Sequence, residues 1–166
     1  MAGRLILVTG GTGSGRLRIA RDLACRLSSR VRVLTFGSPD EEGLLKCGGW
    51  NPAVVESPSA LACGQRPTDG IGEVLLVSGL DAWVEKELHS AGEMEAVLEA
   101  VHSLVAFARA RRWPTLIVSR EVGSEVVPVS REERLYRDTL GWANQILAQA
   151  ADEVWLALAG LPFRLK

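Results

Sequence analysis

The sequence has few of the residues on which disulfide-linked and metal-bound proteins depend. Its 166 residues include three cysteines and two histidines, and Cys25, Cys47 and Cys63 are widely spaced. Neither a CxxC pair nor a Cys/His spacing typical of a metal site occurs. We therefore expect no metal site, and the odd number and wide spacing of the cysteines favour a reducing, cytoplasmic compartment.

An excess of charge and a long apolar run are also missing. With 19 basic and 20 acidic side chains the net charge is −1, which gives no long-range field for attracting nucleic acid or anionic membrane. The first apolar run is too short for a signal peptide or a membrane span. We expect a protein that binds neither nucleic acid nor membrane, and a single domain over residues 1–166.

What the sequence does have is an alternation of short apolar runs with segments of helical periodicity. Such an alternation predicts a mostly parallel sheet with helices on both faces, a three-layer α/β sandwich. The predicted strands are 5–9, 31–36, 73–80, 115–119 and 153–160, and the predicted helices are 16–27, 81–112 and 130–151. A short or edge strand over 50–56, a loop over 65–72 and a short last strand over 161–166 complete the prediction.

Two Ser-x-x-Glu patterns predict helix starts by the capping-box rule. Ser90 with Glu93 predicts a break in the long helical region, followed by a new helix. Ser130 with Glu133 predicts the start of the helix that runs to about residue 151.

The segment GGTGSGRL follows the first predicted strand and precedes the first predicted helix. It resembles the phosphate-loop pattern G-x-x-x-x-G-K-[ST] in that context. Glycines let successive amides form an anion-binding nest, to which the following helix adds its dipole. We therefore predict that a nucleotide is bound by Gly10, Gly11, Thr12, Gly13, Ser14, Gly15, Arg16 and Leu17.

Two side chains depart from that pattern. Arg16 replaces the lysine, which keeps the charge but changes its geometry. Leu17 replaces the hydroxyl residue that normally contacts Mg²⁺, and leucine offers no oxygen to a metal that requires oxygen ligands. Nucleotide binding with little or no Mg²⁺ is the expectation.

Two other interpretations of the loop stay open. A dinucleotide-binding reductase is less favoured, because the G-x-G-x-x-G spacing places Arg16 or Arg18 at its last position. The only tyrosine, Tyr136, is followed four residues later by Leu140 rather than by the lysine of short-chain reductases. The other alternative is a glycine turn that only lets the strand and the helix pack.

Several motifs in the second half occur in one order. They are REVG (120–123), VVP (126–128), YRD (136–138), Gly141, NQ (144–145), AADEVW (150–155), Gly160, Pro162 and Lys166. With these motifs and the N-terminal loop, the chain resembles the bifunctional adenosylcobinamide kinase/adenosylcobinamide-phosphate guanylyltransferase (CobU-type) family from end to end, least over 37–72.

The resemblance implies a P-loop NTPase-like fold, a homotrimer, GTP or ATP as the nucleotide, and a corrinoid substrate in cobalamin biosynthesis. Family members phosphorylate adenosylcobinamide and then transfer GMP through a covalent guanylyl-histidine. Ser78 stands where the family has an acidic residue at the end of its metal-side strand, with Asp81 able to reach the site only if that strand ends early. Glu121 is expected near the loop, and we include Ser78 and Glu121 among the nucleotide-binding residues.

The guanylyl-accepting histidine is missing. The corresponding segment, GSPDEEGLLKCGGWNPAVVES, contains none, although Lys46 or Cys47 could take its place. His89 and His102 lie in the later helical region, where surface or packing roles are expected. We name no catalytic residue and predict weak or absent guanylyl transfer. The alternative from another class is a non-catalytic nucleotide- or corrinoid-binding protein with a scaffold or regulatory role.

Overall fold

The structure, a computed structural model, describes residues 3–37, 53–62, 71–90, 93–124, 126 and 128–166. No helix in these segments is long and apolar enough to cross a lipid bilayer. The elements are β1 (Leu5–Gly10), α1 (Arg16–Leu27), β2 (Val31–Thr35), β3 (Ala53–Val54), α2 (Pro58–Ala62), β4 (Val74–Ser78), α3 (Leu80–Ser90), α4 (Met94–Ala110), β5 (Thr115–Arg120), α5 (Arg131–Ala150), β6 (Glu153–Leu158) and β7 (Leu161–Arg164).

The strands form a seven-stranded sheet in the order β3-β2-β4-β5-β1-β6-β7. The pairings are parallel except for the one between β6 and β7. β1 lies between β5 and β6, so that Val8 is flanked by Val118 and Trp155. Since parallel strands end at the same edge of a sheet, the loops after β1, β4 and β5 meet at one edge, where ligands bind in such folds.

Helices cover both faces of the sheet, and the alternation of side chains along β1 shows which helices cover which face. Ile6 and Val8 pack with Ile19 of α1 in one apolar cluster. Leu5 and Leu7 belong to the other cluster, to which α3, α4 and α5 contribute. This arrangement confirms the predicted three-layer α/β fold.

β4 ends earlier than the strand predicted over 73–80. It stops at Ser78, Gly79 has a φ of 75°, and α3 begins at Leu80. A Cβ on Gly79 would stand 2.7 Å from a neighbouring backbone nitrogen, so only glycine permits both the left-handed turn and the close approach. The early turn places Asp81 in the first turn of α3.

The prediction that Ser90 caps a new helix is wrong. Ser90 is the last residue of α3, and its hydroxyl donates to the carbonyl oxygen of Glu87 at 3.2 Å. α4 begins at Met94, and Glu93 precedes it as an N-cap without a side-chain hydrogen bond. A serine hydroxyl can bond to its own helix as readily as cap the next one, and the local bond is the one formed here.

The capping box at Ser130 is confirmed. Its hydroxyl accepts from the N–H of Glu133 at 3.1 Å, and the Glu133 carboxylate accepts from the N–H of Ser130 at 3.4 Å. The edge strand predicted over 50–56 corresponds to β3, and the predicted last strand corresponds to β7. Most of the loop predicted over 65–72, together with Lys46 and Cys47, lies outside the described residues.

Candidate functional site

The loop between β1 and α1 has a backbone suited to binding an anion. Gly13 and Gly15 have φ values of 71° and 83°, and Gly15 caps α1 in the left-handed conformation without a side-chain bond. Within the described residues, the N–H groups of Gly13, Gly15 and Arg16 donate to no protein acceptor. Free N–H groups at a helix N-terminus, with the positive end of the helix dipole, can hold a phosphate.

The end of this loop is held by the turn between β6 and β7. The N–H of Gly160 donates to the carbonyl oxygen of Ser14 at 2.9 Å, and Arg18 donates to that of Gly160 at 2.7 Å. A Cβ on Gly15 would stand 3.3 Å from the Cα of Gly160. The two backbones are therefore in contact, which fixes the loop against the sheet.

The start of the loop is packed just as closely, but its middle is open. A Cβ on Gly10 would stand 2.5 Å from Ser14 Oγ and 2.6 Å from the carbonyl oxygen of Ala157. A Cβ on Gly11 or Gly13 would meet nothing within 4 Å. The outer part of the loop thus has room beside it for a ligand.

The guanidinium of Arg16 is held by two protein acceptors. Nη1 donates to the carbonyl oxygen of Gly11 at 3.3 Å, and Nη2 donates to Oδ2 of Asp81 at 3.2 Å. The side chains of this ion pair are 17% and 18% exposed. Because β4 ends at Ser78, Asp81 does reach the loop, where its charge neutralises that of Arg16.

Tyr136 of α5 lies close enough to Asp81 to respond to its charge. Burial, and after it the Asp81 carboxylate, raise the pKa of Tyr136 to about 12, although a hydrogen bond with Arg120 acts in the opposite direction. The phenol is therefore protonated at neutral pH. Residues of α1, α3, α5 and the end of β5 thus form one polar group beside the loop.

Glu121 lies next to the loop, but its carboxylate is engaged locally. Its N–H donates to the carbonyl oxygen of Gly10 at 3.1 Å, which ties the end of β5 to the start of the loop. The carboxylate accepts from the N–H of Gly123 at 2.6 Å and from that of Ser124 at 3.2 Å. As placed, Glu121 shapes the turn after β5.

The side chains of Leu17 and Ser78 do not reach the open part of the loop. Leu17 packs against the apolar cluster under α1. Ser78 is fully buried, and its hydroxyl donates to the carbonyl oxygen of Leu34 at 3.5 Å. With Asp81 bound to Arg16 and Glu121 bound to its own turn, these residues do not fit the oxygen ligand set of Mg²⁺.

Neither histidine belongs to this polar group. His89 follows Asp81 by about two helical turns on α3, about 12 Å along the helix axis, and its Nδ1 donates to the carbonyl oxygen of Glu85 at 2.7 Å. His102 is exposed on α4. The expected surface roles agree with these positions.

Two of the clefts that the described residues line run along α5. One, of about 380 Å³, is lined by Arg120, Tyr136 and the Pro128 segment. The other, of about 660 Å³, lies between α5 and the ends of β1 and β5 and includes Thr9 and Asn144. Both volumes are in the range of small-molecule sites, so a ligand has room along α5 and at the ends of β1 and β5.

Three residues of this polar group were absent from the predicted set of nucleotide-binding residues: Asp81, Arg120 and Tyr136. The signal for Asp81 was the glycine two residues before it, which ends the strand and turns the chain into α3. Nothing in the local sequence of Tyr136 indicates its position, since it depends on how α5 packs against α3.

The mostly parallel sheet and the glycine-rich loop between β1 and α1 are those of the P-loop class of α/β proteins. The model of the cobinamide kinase / cobinamide phosphate guanyltransferase family matches residues 49–165. The bifunctional adenosylcobalamin biosynthesis protein CobP of Pseudomonas aeruginosa is 32% identical over 173 residues, which cover 96% of each chain. CobU of Escherichia coli, described in the same words, is 30% identical and covers 98% of this chain and 99% of its own. The chain therefore belongs to the cobinamide kinase / cobinamide phosphate guanyltransferase family, as the resemblance predicted.

Solved structures agree on the fold at low sequence identity. The KaiC-like protein PH0186 of Pyrococcus horikoshii OT3 matches with a TM-score of 0.53 and 16% identity over 93% of this chain and 72% of its own. The PH0250 protein of the same organism matches with a TM-score of 0.57 and 10% identity over 99% and 87% of the two chains. These matches agree with the α/β fold of a mostly parallel sheet with helices on both faces.

Proposed function

We propose that this chain is a divergent homologue of the cobinamide kinase/guanylyltransferases of cobalamin biosynthesis, and that it binds GTP or ATP at the loop of residues 10–16. The observation that carries the proposal is the loop backbone. Among the residues that the structure describes, three N–H groups of the loop and the start of α1 have no protein acceptor, and open space lies beside Gly11 and Gly13. Backbone donors of this kind bind phosphate whatever side chain follows them.

Guanylyl transfer is weak or absent under this proposal. A covalent guanylyl-histidine needs a histidine beside the nucleotide, and the two histidines of the chain lie on α3 and α4, away from the loop. The groups that would hold Mg²⁺ are also replaced or engaged. A bound metal supplies several kcal/mol of charge stabilisation in such transfers, so its loss lowers the rate by orders of magnitude.

A non-catalytic nucleotide- or corrinoid-binding protein is the second candidate. One observation favours it: Asp81 forms an ion pair with Arg16. An arginine neutralised by a carboxylate supplies less charge to the transition state of phosphoryl transfer than a free cation does. Binding then depends on the backbone and persists where turnover does not.

Two measurements test both candidates: thermal shift of the protein with nucleotides, and transfer of label from isotope-labelled GTP. Under the proposal, GTP or ATP stabilises the protein in EDTA as well as in Mg²⁺, and a nucleotide at about 100 times its Kd adds about 2.7 kcal/mol. Phosphate transfer to adenosylcobinamide favours the kinase, and stabilisation without turnover favours the binder. A shift with NAD(P)H alone, or strong acid-labile, base-stable labelling of the protein by GTP, would contradict the proposal.

The expected partners are a corrinoid and further copies of this chain. The clefts beside α5 give a corrinoid side group room to approach the loop. The homotrimer implied by the family resemblance is supported by an apolar surface on the β6–β7 hairpin, where Leu158, Leu161, Phe163 and Leu165 are 46–63% exposed. Contiguous apolar surface of this kind is typical of interfaces, and light scattering of the purified chain measures the assembly.

A further inference from the structure

The ion pair at the loop bears on how phosphate is bound, an inference that rests on the proposed function. An arginine binds phosphate through several N–H donors in a planar fork. In Arg16 one terminal nitrogen donates to the carbonyl oxygen of Gly11 and the other to the carboxylate of Asp81. The charge next to the free N–H groups of the loop is therefore already compensated.

A phosphate that enters the loop is repelled by the Asp81 carboxylate, because both anions would contact the guanidinium of Arg16. Both partners of the ion pair are mostly buried, so water screens this repulsion less than at an open surface. We propose that Asp81 is an intramolecular competitor for phosphate at Arg16, and that binding replaces the Asp81–Arg16 contact with a phosphate–Arg16 contact.

Under the proposal, the phenol of Tyr136 receives Asp81 after the exchange. The phenol of Tyr136 is neutral, hydrogen-bonds with Arg120 and lies within the electrostatic field of Asp81. Arginine has only donors, so the phenol oxygen accepts from Arg120 and its proton is available to a carboxylate. A hydrogen bond from this phenol would keep Asp81 from becoming an unpaired charge once it leaves Arg16.

The groups that face Asp81 define the matched control. Arg16 comes from α1 and Tyr136 from α5, and Glu85 lies one turn further along α3, where it also acts on Tyr136. Asp81→Asn and Glu85→Gln each remove one negative charge from the same helix. Only the first removes the ion pair with Arg16.

The test is calorimetric titration of the full chain with inorganic triphosphate and with GTP, in EDTA. Asp81→Asn is expected to tighten binding by about tenfold, equal to about 1.4 kcal/mol, and Glu85→Gln by less than about twofold. In an Arg16→Ala background the effect of Asp81→Asn should fall to less than about threefold, since a double-mutant cycle isolates the competition from simple repulsion. Asp81→Ser repeats the measurement if Asp81→Asn does not fold, as judged by circular dichroism.

The proposed competition would be refuted if Asp81→Asn and Glu85→Gln changed the affinity for triphosphate equally, or if Asp81→Asn weakened binding. An unchanged effect of Asp81→Asn in the Arg16→Ala background would overturn it too. If the wild type binds and Asp81→Asn binds with the same affinity, this inference is refuted and the proposed function is not. No binding by the wild type or by any variant refutes both.

Discussion

Replacing Gly10 with alanine tests the loop geometry on which the anion site depends. The added Cβ would stand 2.5 Å from Ser14 Oγ and 2.6 Å from the carbonyl oxygen of Ala157. The serine side chain can rotate away, but the carbonyl belongs to the backbone of β6 and cannot. Overpacking of a close contact costs about 1–3 kcal/mol, and a clash with backbone places Gly10→Ala at the upper end, about 3 kcal/mol.

Gly11→Ala is the matched control one residue further along. Its Cβ would meet nothing within 4 Å, and Gly11 is not among the glycines with positive φ. The free energy of unfolding should therefore stay within about 0.5 kcal/mol of the wild type. Urea unfolding followed by far-UV circular dichroism measures both variants, with an unchanged m-value as the condition for comparing them.

Gly13→Ala separates backbone conformation from crowding. Gly13 has open space around it but a φ of 71°, so alanine there costs about 1–2 kcal/mol through the left-handed conformation alone. The predicted order of destabilisation is Gly10→Ala, then Gly13→Ala, then Gly11→Ala. If Gly11→Ala destabilised the protein as much as Gly10→Ala does, the loop would not have this backbone, and the argument for its free N–H groups would fail.

Three further predictions address the ionisable groups and the helix starts. Tyr136 is the only tyrosine, so a tyrosinate absorbance titration reports its ionisation alone. The Asp81 charge helps to raise the pKa of Tyr136 to about 12, so this pKa should fall in Asp81→Asn. An unchanged titration midpoint would contradict the interaction between the two side chains. Burial raises the pKa of Asp152, but hydrogen bonds from Leu5 N–H and Arg109 outweigh it, so the pKa lies below its usual value. Such a depressed pKa stabilises the fold above the unfolded value of about 4, and the stabilisation is lost as the pH falls through the folded value. Asp152→Asn should therefore destabilise the protein at pH 7, and destabilise it less in acid. Because the side chain is 42% exposed, water screens its charge, and the expected loss at pH 7 is about 0.5–1 kcal/mol. Urea melts at both pH values measure it, and an equal loss at the two would refute this. Ser130→Ala should cost about 1 kcal/mol through the lost cap, whereas Ser90→Ala, at the end of α3, should cost little; similar losses of thermal stability would contradict the assigned helix starts.

Much of the fold could be predicted from the sequence because central parallel strands are buried on both faces and appear as short apolar runs. The run EVLLVSGL shows the limit of that argument. The apolar pattern includes Gly79 in a strand predicted to end at residue 80. The positive φ of Gly79 instead ends β4 at Ser78, and α3 begins at Leu80. At Ser90 the same residue pattern permits a cap or a bond back to the preceding turn, and local sequence does not decide between them.

The loop could be predicted from its glycines, because the nest and the helix start are properties of consecutive residues. The contact between Arg16 and Asp81 could not, since it joins residues 65 positions apart on helices from opposite faces of the sheet. Its formation depends on where β4 ends and on how α3 packs. The position of Tyr136 depends in the same way on the packing of α5.

Backbone and side chains at this edge of the sheet therefore support different parts of the proposed function. The N–H groups of the loop lie in a conformation set by Gly13 and Gly15, so the proposed anion site does not depend on which residue follows. Charge stabilisation during transfer depends instead on side chains, and here the cation of Arg16 is already compensated by Asp81. We therefore predict that binding and turnover are separable in this chain. A substitution that frees Arg16 should strengthen phosphate binding, yet it restores neither a guanylyl-accepting histidine nor an oxygen ligand at position 17.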